Sequence, residues 1–201
     1  MSSRRITAVL LAAAALSVAA LAGPAPARDA DSIIAGWPAT PQKLAREMIA
    51  KYGPPQETTA SMLVWRGKGP WKETMVYRDE VPHSFPMQHT DLLEQFIDYR
   101  VPTDTFDELA EYDGSVIVER TKGVMSARCD KEETNFLALN LANDIATGKR
   151  SVDDARQFYA DTAMAFTQGR KDPYTQRLQF TVPKGGTADA DKPVAAKRAE
   201  R

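Results

Sequence analysis

The stretch Ser61-Met62-Leu63-Val64-Trp65-Arg66-Gly67-Lys68-Gly69-Pro70-Trp71-Lys72-Glu73-Thr74-Met75-Val76-Tyr77-Arg78 decides the fold. Two β-prone runs, Ser61 to Arg66 and Lys72 to Arg78, flank a Gly-Lys-Gly-Pro insert and read as an antiparallel hairpin. The pattern recurs where Val116-Ile117-Val118 and Val124 to Cys129 flank Lys122-Gly123. Gln95, Ile97, Tyr99 and Val101 alternate as one face of another strand, and Tyr174, Leu178, Phe180 and Val182 predict a last one. Helical signals lie between these runs. Thr40-Pro41 opens a helix that Gly53-Pro54-Pro55 ends, and a short helix spans Asp104 to Tyr112. Asp130 with Glu133 resembles a capping box at the start of a longer helix through Ala146. Ser151 with Asp154 starts another, whose Val152, Ala155, Tyr159, Thr162 and Phe166 mark one face. Strands paired in tight hairpins, with helices segregated from them, predict an α+β fold: an antiparallel sheet of about five to six strands with helices packed on one face.

The ends of the chain read differently. Arg4 and Arg5 precede an uncharged run from Ile6 to Gly23, and Ala25-Pro26-Ala27 places small residues around a cleavage site. This three-part pattern predicts a cleaved secretory signal peptide over residues 1–27, hence a periplasmic or secreted protein. The alanine-rich run and Pro24 argue against an uncleaved anchor, so no integral membrane span is expected after cleavage. Thr7, where a twin-arginine signal prefers Phe, favours the Sec route. Residues 28–37 read as an irregular lead-in, 38–183 as one domain, and 184–201 as a flexible tail of Lys, Ala, Gly and Asp.

The 201 residues carry a net charge of −1, with 43% apolar and 26% charged residues. This composition excludes a wholly disordered chain, a collagen-like one and a multi-pass membrane protein. Near-neutral charge argues against nucleic acid as a partner. A single cysteine excludes an internal disulfide framework.

The densest chemistry lies in Val81-Pro82-His83-Ser84-Phe85-Pro86-Met87-Gln88-His89-Thr90-Asp91, which holds both histidines of the chain. His83, Met87 and His89 form a candidate metal site. Imidazole with thioether suits copper, and imidazole with the carboxylate two residues beyond suits zinc. The bland alternative is that both histidines hydrogen-bond locally while Phe85 and Met87 plug the edge of the core. Cys129 is a candidate reactive thiol at the end of a strand, just before a helix N-terminus, and it is equally readable as a small buried hydrophobe. Trp65 and Trp71, beside the hairpin turn, are core aromatics or else an exposed binding face. Asn140 and Asn143 lie on the side of the long helix opposite Leu137, Leu141 and Ile145, which predicts a solvated side. No Gly-rich phosphate loop, nucleophile elbow or His-Glu-x-x-His occurs.

Lys51-Tyr52-Gly53-Pro54-Pro55, Leu63-Val64-Trp65, Gly69-Pro70-Trp71-Lys72, the His83–Asp91 loop, Tyr112-Asp113-Gly114-Ser115 and Ser126-Ala127-Arg128-Cys129-Asp130 together resemble an uncharacterised group of exported bacterial proteins. The resemblance spans residues 37–167 and implies export but no activity. The helix running into Gly-Pro-Pro and then a Trp-bearing strand is also locally similar to small outer-membrane assembly lipoproteins of the BamE type. The present chain lacks their lipidated cysteine and is about twice as long.

Together these readings predict an exported binding module acting on an envelope component or another protein, without a catalytic signature. The alternative is a periplasmic copper- or zinc-binding protein using His83, Met87 and His89.

Overall fold

In the computed structural model, which describes residues 30–195, the deciding stretch forms two strands, β2 (Met62–Lys68) and β3 (Trp71–His83). They pair antiparallel from Met62 opposite Tyr77 to Lys68 opposite Trp71. The turn requires left-handed backbone at Gly67 and Gly69 (φ 62° and 58°), which glycine supplies without a Cβ clash. A two-residue strand, β1 (Glu57–Thr58), borders β2, and β4 (His89–Asp98) pairs with β3. The second hairpin, β5 (Val116–Glu119) and β6 (Val124–Cys129), joins through β6 to β4. The result is one antiparallel six-stranded sheet in the order β1-β2-β3-β4-β6-β5.

Strand alternation fixes which residues share a face. Leu63, Val76, Leu93 and Cys129 form one row across the sheet, and Trp65, Thr74, Gln95, Ala127 and Val116 form the next. All the helices lie on this side. α1 (Ala30–Ile34) and α2 (Ala39–Tyr52) pack Ile34, Leu44, Ala45 and Met48 over Leu63, Trp65, Val76 and Leu93. α3 (Phe106–Tyr112), α4 (Glu132–Ala146) and α5 (Val152–Thr167) cover Ile97, Met125 and Ala127. The α+β architecture with helices on one face is therefore present. On the opposite face, the Tyr77 and Ser126 hydroxyls donate to the buried Glu94 carboxylate at 2.7 Å each.

Several expectations need correction. The lead-in before residue 38 contains α1, and Ile34 and Trp37 belong to the core. The expected last strand is absent: a short helix, α6 (Pro173–Gln176), is followed by irregular chain. Here Asn140 of α4 takes the place of a strand partner. Its Nδ2 donates to the carbonyls of Tyr174 and Arg177 at 3.0 and 2.9 Å, and its Oδ1 accepts from Gln179 N–H at 2.7 Å. Asn140 is accordingly buried, as are Asn135 and Asp144, so α4 has no solvated Asn140 side. Lys131 precedes α4 without a side-chain cap, whereas Ser151 caps α5 by accepting from Asp154 N–H at 3.2 Å.

The Trp65 and Trp71 indoles are buried at 0% and 2% exposure, so they form no surface binding face. Trp65 Nε1 donates to the Gly53 carbonyl at 2.8 Å. Trp71 stacks on Phe136 with centroids 4.7 Å apart and donates to Glu132 Oε1 at 2.6 Å. The tail is anchored at its start. Thr187 is buried and donates to the Gly123 carbonyl at 2.7 Å, while Arg120 pairs with Asp189 at 2.8 Å and also with Asp191. Residues 1–27, which the sequence reading assigns to a signal peptide, and residues 196–201 lie outside the described residues. Among the described residues no helix is long and apolar enough to cross a membrane.

Candidate metal centre

The site lies at one end of the sheet, on the helix-bearing side, and a strand irregularity builds it. Val76 pairs with Leu93 and Val81 with Asp91, so β3 advances five residues while β4 advances two. The three extra residues bulge out, and His83 ends directly opposite His89. Alternation along β4 puts His89 and Asp91 on the same side as Leu93, hence on the side of Cys129, which pairs with Leu93 from β6. Beyond β3 the loop Ser84–Gln88 is pinned to the helices by Phe85. Its ring lies 5.1 Å from that of Tyr159 on α5, and the Arg156 guanidinium stacks over it at 4.0 Å.

Within this frame two imidazoles, two carboxylates, a hydroxyl and a thiol converge. The rings of His83 and His89 are 5.0 Å apart. One oxygen of Asp91, Oδ2, lies 3.3 Å from His83 Nδ1 and accepts from the Ser115 hydroxyl. The other, Oδ1, lies 3.1 Å from His89 Nε2 yet accepts no hydrogen bond, although the Asp91 side chain is only 1% exposed. Asp113 Oδ1 lies 3.7 Å from His83 Nε2 and accepts from Ser115 N–H at 2.8 Å. His89 Nδ1 meets the Met87 carbonyl at 2.9 Å, and its Nε2 lies 3.4 Å from Cys129 Sγ. A nitrogen of each ring and an Asp91 oxygen all lie within 4.8 Å of one another.

The electrostatics follow from this crowding. The Asp91 carboxylate, then Cys129, push His89 up to about 11, so that without a metal the ring is an imidazolium at neutral pH. Burial alone would raise Asp91, but His89, Ser115 and His83 more than offset it and hold its carboxyl below the usual range. Asp113 is raised, chiefly by burial. Burial also raises the Cys129 thiol, against the opposing pull of His89. The thiol lies at the floor of a cleft of about 160 Å³, walled by Met87, Lys131, Tyr159, Ala163 and Phe166.

The structure thus brings the two sequence-predicted histidines together and sets Cys129 beside one of them. Met87 meets His89 through its backbone, while its side chain is exposed on the cleft wall. Asp113 and Ser115 stand out in the sequence only within the Tyr112-Asp113-Gly114-Ser115 run that carries the resemblance, which marks no metal ligand; the sheet register brings them in. No protein-family model, curated protein or solved structure matches the chain.

Proposed function

We propose that this is an exported protein that binds a divalent transition metal, with zinc the best match, between His83, His89 and Asp91. The observation that carries the reading is the convergence on the buried, ionised Asp91 carboxylate of two imidazoles, with a donor atom of each residue within 4.8 Å of the others. Without a metal that carboxylate faces the His89 imidazolium at 3.1 Å, and a cation could replace the ring proton between them. The surrounding groups suit ligands. The Met87 carbonyl holds His89 Nδ1 and leaves Nε2 aimed at Asp91, while Asp113 stands behind His83 and Ser115 behind Asp91. Two imidazoles with a carboxylate favour zinc over copper. Export rests on the pattern from Arg4 to Ala27. Docking to an envelope component loses the Trp65–Trp71 face that motivated it, since both indoles are in the core.

Isothermal titration tests the proposal. One zinc ion per chain should bind with a dissociation constant below micromolar, and His89→Ala and Asp91→Ala should each weaken binding on the order of 100-fold or more. Wild-type binding no tighter than micromolar for both zinc and copper overturns it.

A further inference from the structure

Where β3 breaks register with β4, between Val76 and Val81, a second cavity opens. It holds about 140 Å³ and is lined by Ser61, Tyr77, Asp79, Val81, Asp91 and Arg128. Arg128 of β6 pairs with Glu94 of β4, so its side chain leaves the sheet on the face opposite the helices. Arg128 is half-buried, and its Nε is fully buried yet donates to no group. The carboxylates around it already have partners. Glu94 accepts from the Tyr77 and Ser126 hydroxyls at 2.7 Å each. Asp79 holds the Arg78 guanidinium with both oxygens, at 2.8 and 3.0 Å. Asp91 faces His89 Nε2 at 3.1 Å and accepts from the Ser115 hydroxyl. Buried N–H groups in folded proteins are nearly always given an acceptor, and here the chain supplies none.

We propose that this cavity is an oxyanion site, in which the Nε and Nη edge of Arg128 binds two oxygens of a carboxylate or phosphate group. The N–H groups of that edge are parallel and match two oxygens of one anion, a geometry that the point charge of a lysine lacks. Ser61 on the wall brings a hydroxyl as a further donor. With Glu94, Asp79 and Asp91 turned to other donors, the Arg128 edge is left without an oxygen to hold. The volume limits the size of the anion. It lies well below the about 300 Å³ at which pockets for larger organic ligands begin, so phosphate or a short carboxylate fits and a nucleotide does not. The site needs no metal and goes beyond the metal reading above.

Nuclear magnetic resonance of the full chain, stripped of metal on a chelating resin and held in Tris buffer, tests this. Inorganic phosphate and acetate are titrated separately. With at least one of them the Arg128 Nε–Hε signal should shift together with the Ser61 and Tyr77 amides and saturate in the millimolar range, and the tighter of the two identifies the group preferred. Arg128→Lys keeps the charge but loses the Nε donor, and should weaken binding on the order of tenfold. The wild-type Arg128 signal is a readout that depends on no variant. A cavity that holds water only, seen as no saturable shift with either anion, overturns the proposal. So do shifts centred on the His83 and His89 rings, or equal affinity in Arg128→Lys. Because no metal is present, each of these results leaves the metal centre to its own test.

Discussion

His83 stands opposite His89 in the β3–β4 ladder because β3 carries three residues more than β4 between the Val76–Leu93 and Val81–Asp91 pairs. In an unbroken ladder Arg78 would face Asp91 and Glu80 would face His89. The centre then has one imidazole, and the second lies past the end of the strand.

Stability of the metal-free protein should depend on pH through His89 and Asp91. The folded value for His89, about 11, lies above the 6.5 of a free imidazole. Its contribution is therefore complete below about pH 6.5 and is lost as pH rises towards 11. Asp91 is shifted down, so its contribution is present above its ordinary value and is lost as pH falls through the lower folded one. With chelator present, the Tm of wild type should fall steadily above pH 7, and that of His89→Gln should fall less. Parallel profiles for the two proteins would show that the His89–Asp91 pair is not a stabilising charge contact.

Metal uptake should release protons. A cation at His89 Nε2 takes the place of the ring proton, so about one proton should leave per zinc near pH 7. Titrations in buffers of different ionisation enthalpy read this directly. A buffer-independent heat would contradict it.

Glu132 is a structural hub separate from the centre. Its carboxylate, only 3% exposed, accepts from Trp71 Nε1 at 2.6 Å and Gln95 Nε2 at 3.0 Å, and also from Tyr52 and Lys51. Burial alone would raise its carboxyl, but Lys51, Tyr52, Trp71 and Gln95 hold it below the usual range. Glu132→Ala leaves buried donors without an acceptor and should cost about 3–5 kcal/mol in urea unfolding. Glu132→Gln keeps an acceptor oxygen and should cost less. Equal losses for the two variants would mean that packing, not hydrogen bonding, matters there.

Gly123 holds the tail. Its φ is +64°, and a Cβ built there would lie 2.2 Å from the Thr187 carbonyl carbon. Gly123→Ala should cost about 1–3 kcal/mol and expose residues 184–191 to protease. In a chain truncated after Pro183 the same substitution should cost less, because only the backbone strain remains. An equal cost in both backgrounds would place the whole effect in the turn.

Much of the fold is legible in the sequence because it depends on local signals. The Gly-Lys-Gly-Pro turn, the Gly53-Pro54-Pro55 stop after α2 and the Ser151–Asp154 start of α5 are chemical features within a few residues of the structure they specify, whereas α2 begins at Ala39 after Pro38 and Thr40 does not cap it. Alternation misleads at Tyr174–Val182, where the Asn140 side chain, rather than a neighbouring strand, takes up backbone groups. Asn140 itself reads as a surface residue, since helical period separates it from Leu137 and Leu141 but does not reveal that a second layer covers that side. The centre is half legible. Two histidines six residues apart mark it, yet Cys129 lies forty residues from His89, and their meeting depends on the β4–β6 pairing, which no local pattern specifies.

The pairing of His83 with His89 bears on how the molecule comes apart. A cation held by residues 83, 89 and 91 would tie the end of β3 to β4, in the manner of a clasp across strands that must separate during unfolding. Occupancy would then show most strongly as persistence: a slower unfolding rate and longer survival against proteases, beyond any gain in equilibrium stability. If the protein is exported as proposed, beyond the reach of the cell's chaperones, the metal would in effect set its lifetime.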